Sequence, residues 1–138
     1  MGMRRGMRAA GVIATALILL SASAGQAAAA TKVNFVHGVP GAGDGTLRVS
    51  GGSGTPASLA GVGFGEASEY STGPSGRVTI TLTVGGKQAA RATETLADGA
   101  GYTVVAEPGS GGKVTLMAYR AGRAQAGSAR VRAAHGAA

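Results

Sequence analysis

Few residues of this chain carry side chains suited to acid–base chemistry or metal binding, and none of its 138 residues is a cysteine. That removes a disulfide framework, a thiolate metal site and a cysteine nucleophile. Its two histidines, His37 and His135, are the natural candidates for a metal pair. Two imidazoles without a third His or a Cys make a poor site, so no metal is expected. Asp44 and Glu66 lie in glycine-rich stretches where carboxylates can meet calcium, yet the dense Asp-x-Asp-x-Asp-Gly spacing of a calcium loop is missing. A Ser-His-Asp triad is open on composition alone, but no nucleophile-elbow motif accompanies it.

Two glycine-rich motifs lead nowhere as cofactor sites. Gly61-Val62-Gly63-Phe64-Gly65 is not the dinucleotide fingerprint and opens no helix. Gly111-Gly112-Lys113 lacks the phosphate-loop spacing and a following Ser or Thr, and reads as a hairpin turn. The expectation is a chain with no catalytic residues and no cofactor.

The elements that would position any site begin after a targeting segment. Arg4, Arg5 and Arg8 precede an uncharged apolar run from Ala9 to Leu20, and Ser21 to Ala30 is small and polar with Ala-x-Ala choices at Ala22-Ser23-Ala24 and Ala28-Ala29-Ala30. This is the three-part layout of a secretory signal peptide over residues 1–30. The apolar run is about 12 residues, short of the roughly 20 a spanning helix needs. A retained anchor over residues 9–24 would be the only route to membrane attachment. Of the formal +7 charge, three arginines belong to this segment. The remainder holds ten basic against six acidic residues, about +4, with Arg120, Arg123, Arg130 and Arg132 late in the chain. A basic flank of this kind attracts anionic polymers. Nucleic acid is not expected as a partner, given export and an aromatic content of only 4% for stacking.

Arg77 to Val84 is the strongest structural signal. Val78, Ile80, Leu82 and Val84 alternate with Arg77, Thr79, Thr81 and Thr83, the period of a half-buried strand built from β-branched residues. Gly85-Gly86 then reads as a hairpin. A regular two-residue loop would set Lys87, Ala89 and Arg91 on the core face. One extra residue, in the loop or as a bulge, sets Ala90 and Ala92 opposite Leu82 and Ile80 and keeps Leu96 on that face. Further strands are expected over Lys32 to Val36, Thr46 to Ser50, Gly101 to Ala106, Lys113 to Arg120 and Ala129 to Ala134. Leu59, Val62 and Phe64 are expected to point inward, and Ser71 to Gly76 to form a turn. About seven short strands with regular turn signals predict an all-β fold, an antiparallel β-sandwich over residues 31–128.

Lys32-Val33-Asn34-Phe35-Val36-His37-Gly38 is echoed by Arg130-Val131-Arg132-Ala133-Ala134-His135-Gly136, which reads as the start of a truncated second repeat over residues 129–138. With Val36-His37-Gly38-Val39-Pro40-Gly41, the Pro74-Ser75-Gly76 turn, Tyr102-Thr103-Val104-Val105-Ala106 and Ala126-Gly127-Ser128-Ala129-Arg130-Val131-Arg132, the chain resembles the exported bacterial family called domain of unknown function 4397. Its Arg-over-Lys and Ala/Gly bias is similar to actinobacterial members. The resemblance implies an immunoglobulin-like sandwich, export or surface attachment, often two repeats, and no settled activity. The chain departs from the family in the strand after the first loop, where Asp44 is displaced.

These readings converge on a secreted or envelope-associated, non-catalytic module whose partner is a cell-envelope polymer or a surface protein. Its expected contact loops are Gly38–Gly45, Gly51–Thr55 and Pro108–Gly112. The candidate contact residues are His37, Asp44, Arg120, Arg123, Arg130 and Arg132. The competing expectations are a secreted hydrolase domain depending on His37, and electrostatic attachment through the late arginines.

Overall fold

The computed structural model describes residues 29–122, 126–129 and 131. Among these the chain forms eight strands and one short 3-10 turn: β1 (Thr31–His37), β2 (Gly45–Ser53), β3 (Ala57–Val62), β4 (Ser71–Gly73), β5 (Ser75–Val84), β6 (Lys87–Leu96), β7 (Gly101–Pro108) and β8 (Val114–Arg120). They make two four-stranded sheets, ordered β4-β1-β7-β8 and β3-β2-β5-β6. All pairings are antiparallel except β1 with β7, which run parallel from Lys32 opposite Gly101 to His37 opposite Ala106. The fold is thus the expected β-sandwich, with eight strands instead of about seven.

Each sheet turns its alternate residues inward. Val33 and Phe35 of β1, Leu47 and Val49 of β2, Val78, Ile80 and Leu82 of β5 and Val104 and Ala106 of β7 are all buried in one core. Burying a side chain of this size contributes roughly 1.5–3 kcal/mol, so this layer supplies most of the drive to fold. The β5–β6 hairpin turns at Gly85 and Gly86, whose φ values of 57° and 77° suit a turn that demands two left-handed residues. Its register carries the extra residue the sequence requires. Val84 pairs with Lys87 and Thr83 with Gln88, then Leu82 pairs with Ala90, leaving Ala89 as a bulge. Ile80 meets Ala92, and Leu96 ends buried.

Three expectations change. Ser71 to Gly76 is not a turn. Ser71–Gly73 is β4 in one sheet, and Ser75 already begins β5 in the other. Pro74 makes the crossing alone, its ring fully buried. Proline has no N–H to leave unpaired at such a corner. Gly73 belongs there because a Cβ would come within 3.2 Å of Val33 Cγ2. Phe64 does not point inward. Strand β3 ends at Val62, and Phe64 sits on the turn beyond it, 55% exposed. Of the strand expected over Ala129 to Ala134, Ala129 and Val131 lie in no strand, and the other positions are outside the described residues. The proposed signal segment, apart from Ala29 and Ala30, and His135 also lie outside them.

Tyr102, near the start of β7, ties the corner where the chain passes from one sheet to the other. Ala97 N–H donates to its Oη at 2.9 Å. A tyrosine hydroxyl reaching back a few residues across such a corner is a feature of immunoglobulin-like sandwiches.

Candidate functional site

Strand directions sort the loops into two ends. The β1–β2 loop, the β3–β4 connection, the Gly85-Gly86 turn and the β7–β8 loop share one end, since His37, Val62, Val84 and Pro108 finish strands that all run toward it. The β2–β3 loop, the Pro74 corner and the β6–β7 loop lie at the other. Two of the three expected contact loops, Gly38–Gly45 and Pro108–Gly112, therefore gather at the first end. Gly51–Thr55 is at the second, and its first three residues extend β2.

His37 organises the first end from inside. Its side chain has 0% exposure. Val39 N–H donates to Nδ1 at 3.2 Å, so the ring proton sits on Nε2, which donates to the Gly43 carbonyl at 3.0 Å. One imidazole thus spans the loop from Val39 to Gly43. The ring tilts against Phe35, with centroids 5.9 Å apart. Gly45 makes room for it, because a Cβ there would stand 3.1 Å from His37 Cδ2 and from Leu82 Cδ1 and 3.2 Å from Phe35 Cε1. Both ring nitrogens are occupied in holding the loop. His37 is a clip inside the fold, withdrawn from any surface contact.

The backbone of β1 also holds the neighbouring loop. His37 N–H donates to the Glu66 carbonyl at 3.1 Å, and Gly65 N–H donates to the His37 carbonyl at 2.8 Å. Glu66 folds its carboxylate back, Oε2 accepting from Gly63 N–H at 2.9 Å. Asp44 Oδ1 approaches the same glycine, lying 3.6 Å from where a Gly63 Cβ would be. Asp44 and Glu66 thus flank one residue, Gly63, which precedes the exposed Phe64 in the chain. Among the described residues no group of three or more His, Cys, Asp or Glu is placed to hold a metal ion.

The family described as Domain of unknown function (DUF4397) matches residues 31–138. The chain belongs to this family. No curated protein matches it. The match begins at the first residue of β1 and spans the whole described DUF4397 sandwich.

Within this DUF4397 domain the candidate residues do not form one site. Asp44 is exposed at the loop end with Phe64, His37 is buried beneath them, and Arg120 is exposed at the opposite end, closing β8 opposite Tyr102. Arg123, Arg130 and Arg132 lie outside the described residues, so the expected basic flank is represented by Arg120 alone. Sequence periodicity did not single out the exposed apolar side chains. Besides Phe64, these are Tyr70 at 51%, Met117 at 41% and, beyond the last strand, Val131. Tyr70 lies over the outer face of the β4-β1-β7-β8 sheet, its hydroxyl 3.3 Å from Thr103 Oγ1. On that face the Asn34 Oδ1 atom is buried without a hydrogen-bond partner. A ring at a glycine-flanked turn was the available signal for Phe64, since Gly63 and Gly65 cannot continue a packed strand.

The second end carries a groove of about 740 Å³ lined by Thr31, Ser53, Thr55, Thr72, Ser75 and Asp98, with Ala29 and Ala30 also in its wall. Its lining is hydroxyls, small residues, the side chain of Leu96 and one carboxylate. No helix among the described residues is long and apolar enough to cross a membrane.

Proposed function

We propose that this DUF4397 chain is an exported, non-catalytic β-sandwich module that works by binding or structure at the cell envelope or outside the cell. The observation carrying this reading is the use made of His37. The described side chain best suited to proton transfer is fully buried, with both nitrogens committed to the loop backbone. A general base has to reach the proton it removes. What the loop end offers to solvent is the exposed ring of Phe64 and the carboxylates of Asp44 and Glu66. That combination suits a surface contact, because a half-exposed aromatic contributes much buried area at little entropy cost. A cell-envelope polymer or a surface protein is the partner class, and nucleic acid is not.

The test is retention of the full chain on isolated cell envelopes, wild type beside Phe64→Ser and His37→Gln, at low and high salt. Binding reduced by Phe64→Ser at unchanged folding supports a contact through the loop end. Binding indifferent to Phe64→Ser but abolished by salt would replace it with attachment through arginines. Intact mass from culture medium and from membranes, taken in parallel, reads the location directly. A chain that keeps Met1 and never leaves the cytoplasm would overturn export.

A further inference from the structure

The two sheets end in four edge strands, β4 and β8 in one and β3 and β6 in the other. An open edge invites another strand, and natural sheets blunt theirs with charge, proline, bulges or brevity. Three of these four are blunted. Strand β4 has three residues and stops at Pro74. Strand β3 is interrupted near its end by Gly61 at a φ of 69°. Strand β6 carries Lys87 and Arg91, bulges at Ala89 and turns Glu94 to the core face, opposite Val78. Strand β8 has none of these devices. It pairs with β7 without a bulge from Val114 to Arg120, and among the described residues no strand lies along its other side. Its single charge is Arg120, at the very end.

The sandwich is also unfinished along this side. Leu116 is buried, but Val114 and Ala118, on the same face of β8, are only half-buried against the core. On the opposite face Met117 is 41% exposed. In the other sheet β6 lies over β8, and its inward Ala92 is half-buried too. Both layers therefore stop short here. A single added strand would extend one layer. A second copy, turned half a revolution about an axis through Met117 and normal to the sheet, sets β8 against β8 and brings its other sheet in on the same side.

We propose that two copies of this chain join through β8, antiparallel and centred on Met117, so that their β4-β1-β7-β8 sheets become one. A closed two-fold contact of this kind uses the same strand from both copies. Centring on a residue keeps Leu116, Ala118 and Val114 of both copies on the buried face, whereas a slip of one residue would mix the faces. Leu116 of one copy then lies opposite Ala118 of the other, and Met117 opposite Met117. Charge favours this direction. Antiparallel pairing holds the two Arg120 side chains about 20 Å apart, at opposite ends of the ladder, whereas parallel pairing would set them side by side. The contact is separate from Phe64 and from any export signal, so it stands or falls independently of the function proposed above.

The chain has no cysteine of its own, so one introduced thiol reports one position. The full chain is oxidised as Met117→Cys, Thr115→Cys or Ser58→Cys, the last being exposed on β3 at the far edge of the other sheet. Disulfide-linked dimer is expected at 117 at least about tenfold faster than at 115 or 58, since opposed residues stand about 5 Å apart while the two 115 positions would be about 14 Å apart. Sedimentation of the cysteine-free chain over about a hundredfold range of concentration should show a species of twice 13.2 kDa, weakened at least about tenfold by Met117→Lys and by Thr115→Lys, which place charge on the open edge. Both sites are exposed, and circular dichroism should show the variants folded. Association that neither lysine weakens, or cross-linking as fast at 115 or 58 as at 117, overturns the proposal. So does a chain that sediments as a monomer throughout and forms no dimer at 117, the result expected if the chain's own last residues or a foreign strand take the edge instead.

Discussion

Replacing His37 by alanine tests the assignment of this residue to the fold. The substitution removes two hydrogen bonds, to Val39 N–H and to the Gly43 carbonyl. Each contributes about 1 kcal/mol net. It also empties a space bounded by Phe35, Leu82 and the backbone of Gly45. The loss of a fully buried ring adds about 1–2 kcal/mol, limited because the glycine-rich loop can settle into part of the space. The expected total is about 3–4 kcal/mol, a large part of the roughly 5–15 kcal/mol that holds a domain of this kind. Urea unfolding followed by circular dichroism would show it as a fall in midpoint of about 2–3 M at a slope near 1.5 kcal/mol per M. Asp44→Ala is the control. Its side chain is exposed at the same end, and its midpoint should stay within about 0.5 kcal/mol of wild type. If His37→Ala unfolds within that same margin, the imidazole is not the clip, and a role for His37 at the surface returns.

Three other outcomes follow from the packing. Gly45→Ala should cost about 1–3 kcal/mol in thermal or urea unfolding, since the new methyl meets His37, Leu82 and Phe35 at 3.1–3.2 Å in a core with no slack. Tyr102→Phe keeps the ring but leaves Ala97 N–H without its acceptor, and should cost about 1–2 kcal/mol in the same assay. Deleting Ala89 should be tolerated within about 1 kcal/mol, because it removes only the bulged residue and leaves Ile80 opposite Ala92. Deleting Thr93 should cost about 2–3 kcal/mol more, since the hairpin must then either turn Leu96 outward or bring Arg91 opposite Ile80.

The hairpin was legible because two independent signals met in it. The Val78–Val84 alternation fixed which face is buried, and the charges of Lys87 and Arg91 ruled out the regular register. Only a slipped register remained, and the adjacent alanines Ala89 and Ala90 let one of them bulge without exposing anything large. Elsewhere a single local signal had to decide, and it sometimes misled. Gly73-Pro74 has the composition of a turn, yet Pro74 is a sheet-to-sheet corner whose ring is fully buried. The residues Ser71 and Thr72 show no alternation because β4 is too short to have a period. Phe64 looked like core because an aromatic ring usually is. Its neighbours Gly63 and Gly65 end the strand and leave the ring on the turn. The candidate contact residues were chosen by charge and by loop membership, and neither property shows how strands distribute loops between the two ends. Asp44 and Arg120 are separated by the full length of the sandwich for that reason.

His37 shows why chemistry was hard to read in this chain. Its core holds few large apolar side chains, and its loops are made of glycine, whose backbone amides and carbonyls have no side chain of their own to cover them. Such groups must find partners or remain wet. Thr31, His37 and Tyr102 are the polar side chains that reach the loop backbone from buried positions, at Ala97 from two sides and across the Val39–Gly43 loop. In sequence, each has the form of a functional group: a hydroxyl, an imidazole and a phenol beside glycines. In the fold, each satisfies backbone that a larger core would have covered. The side chains left for outside contact are those the fold does not use, which places Phe64 and Met117 ahead of His37 as the surfaces to alter first.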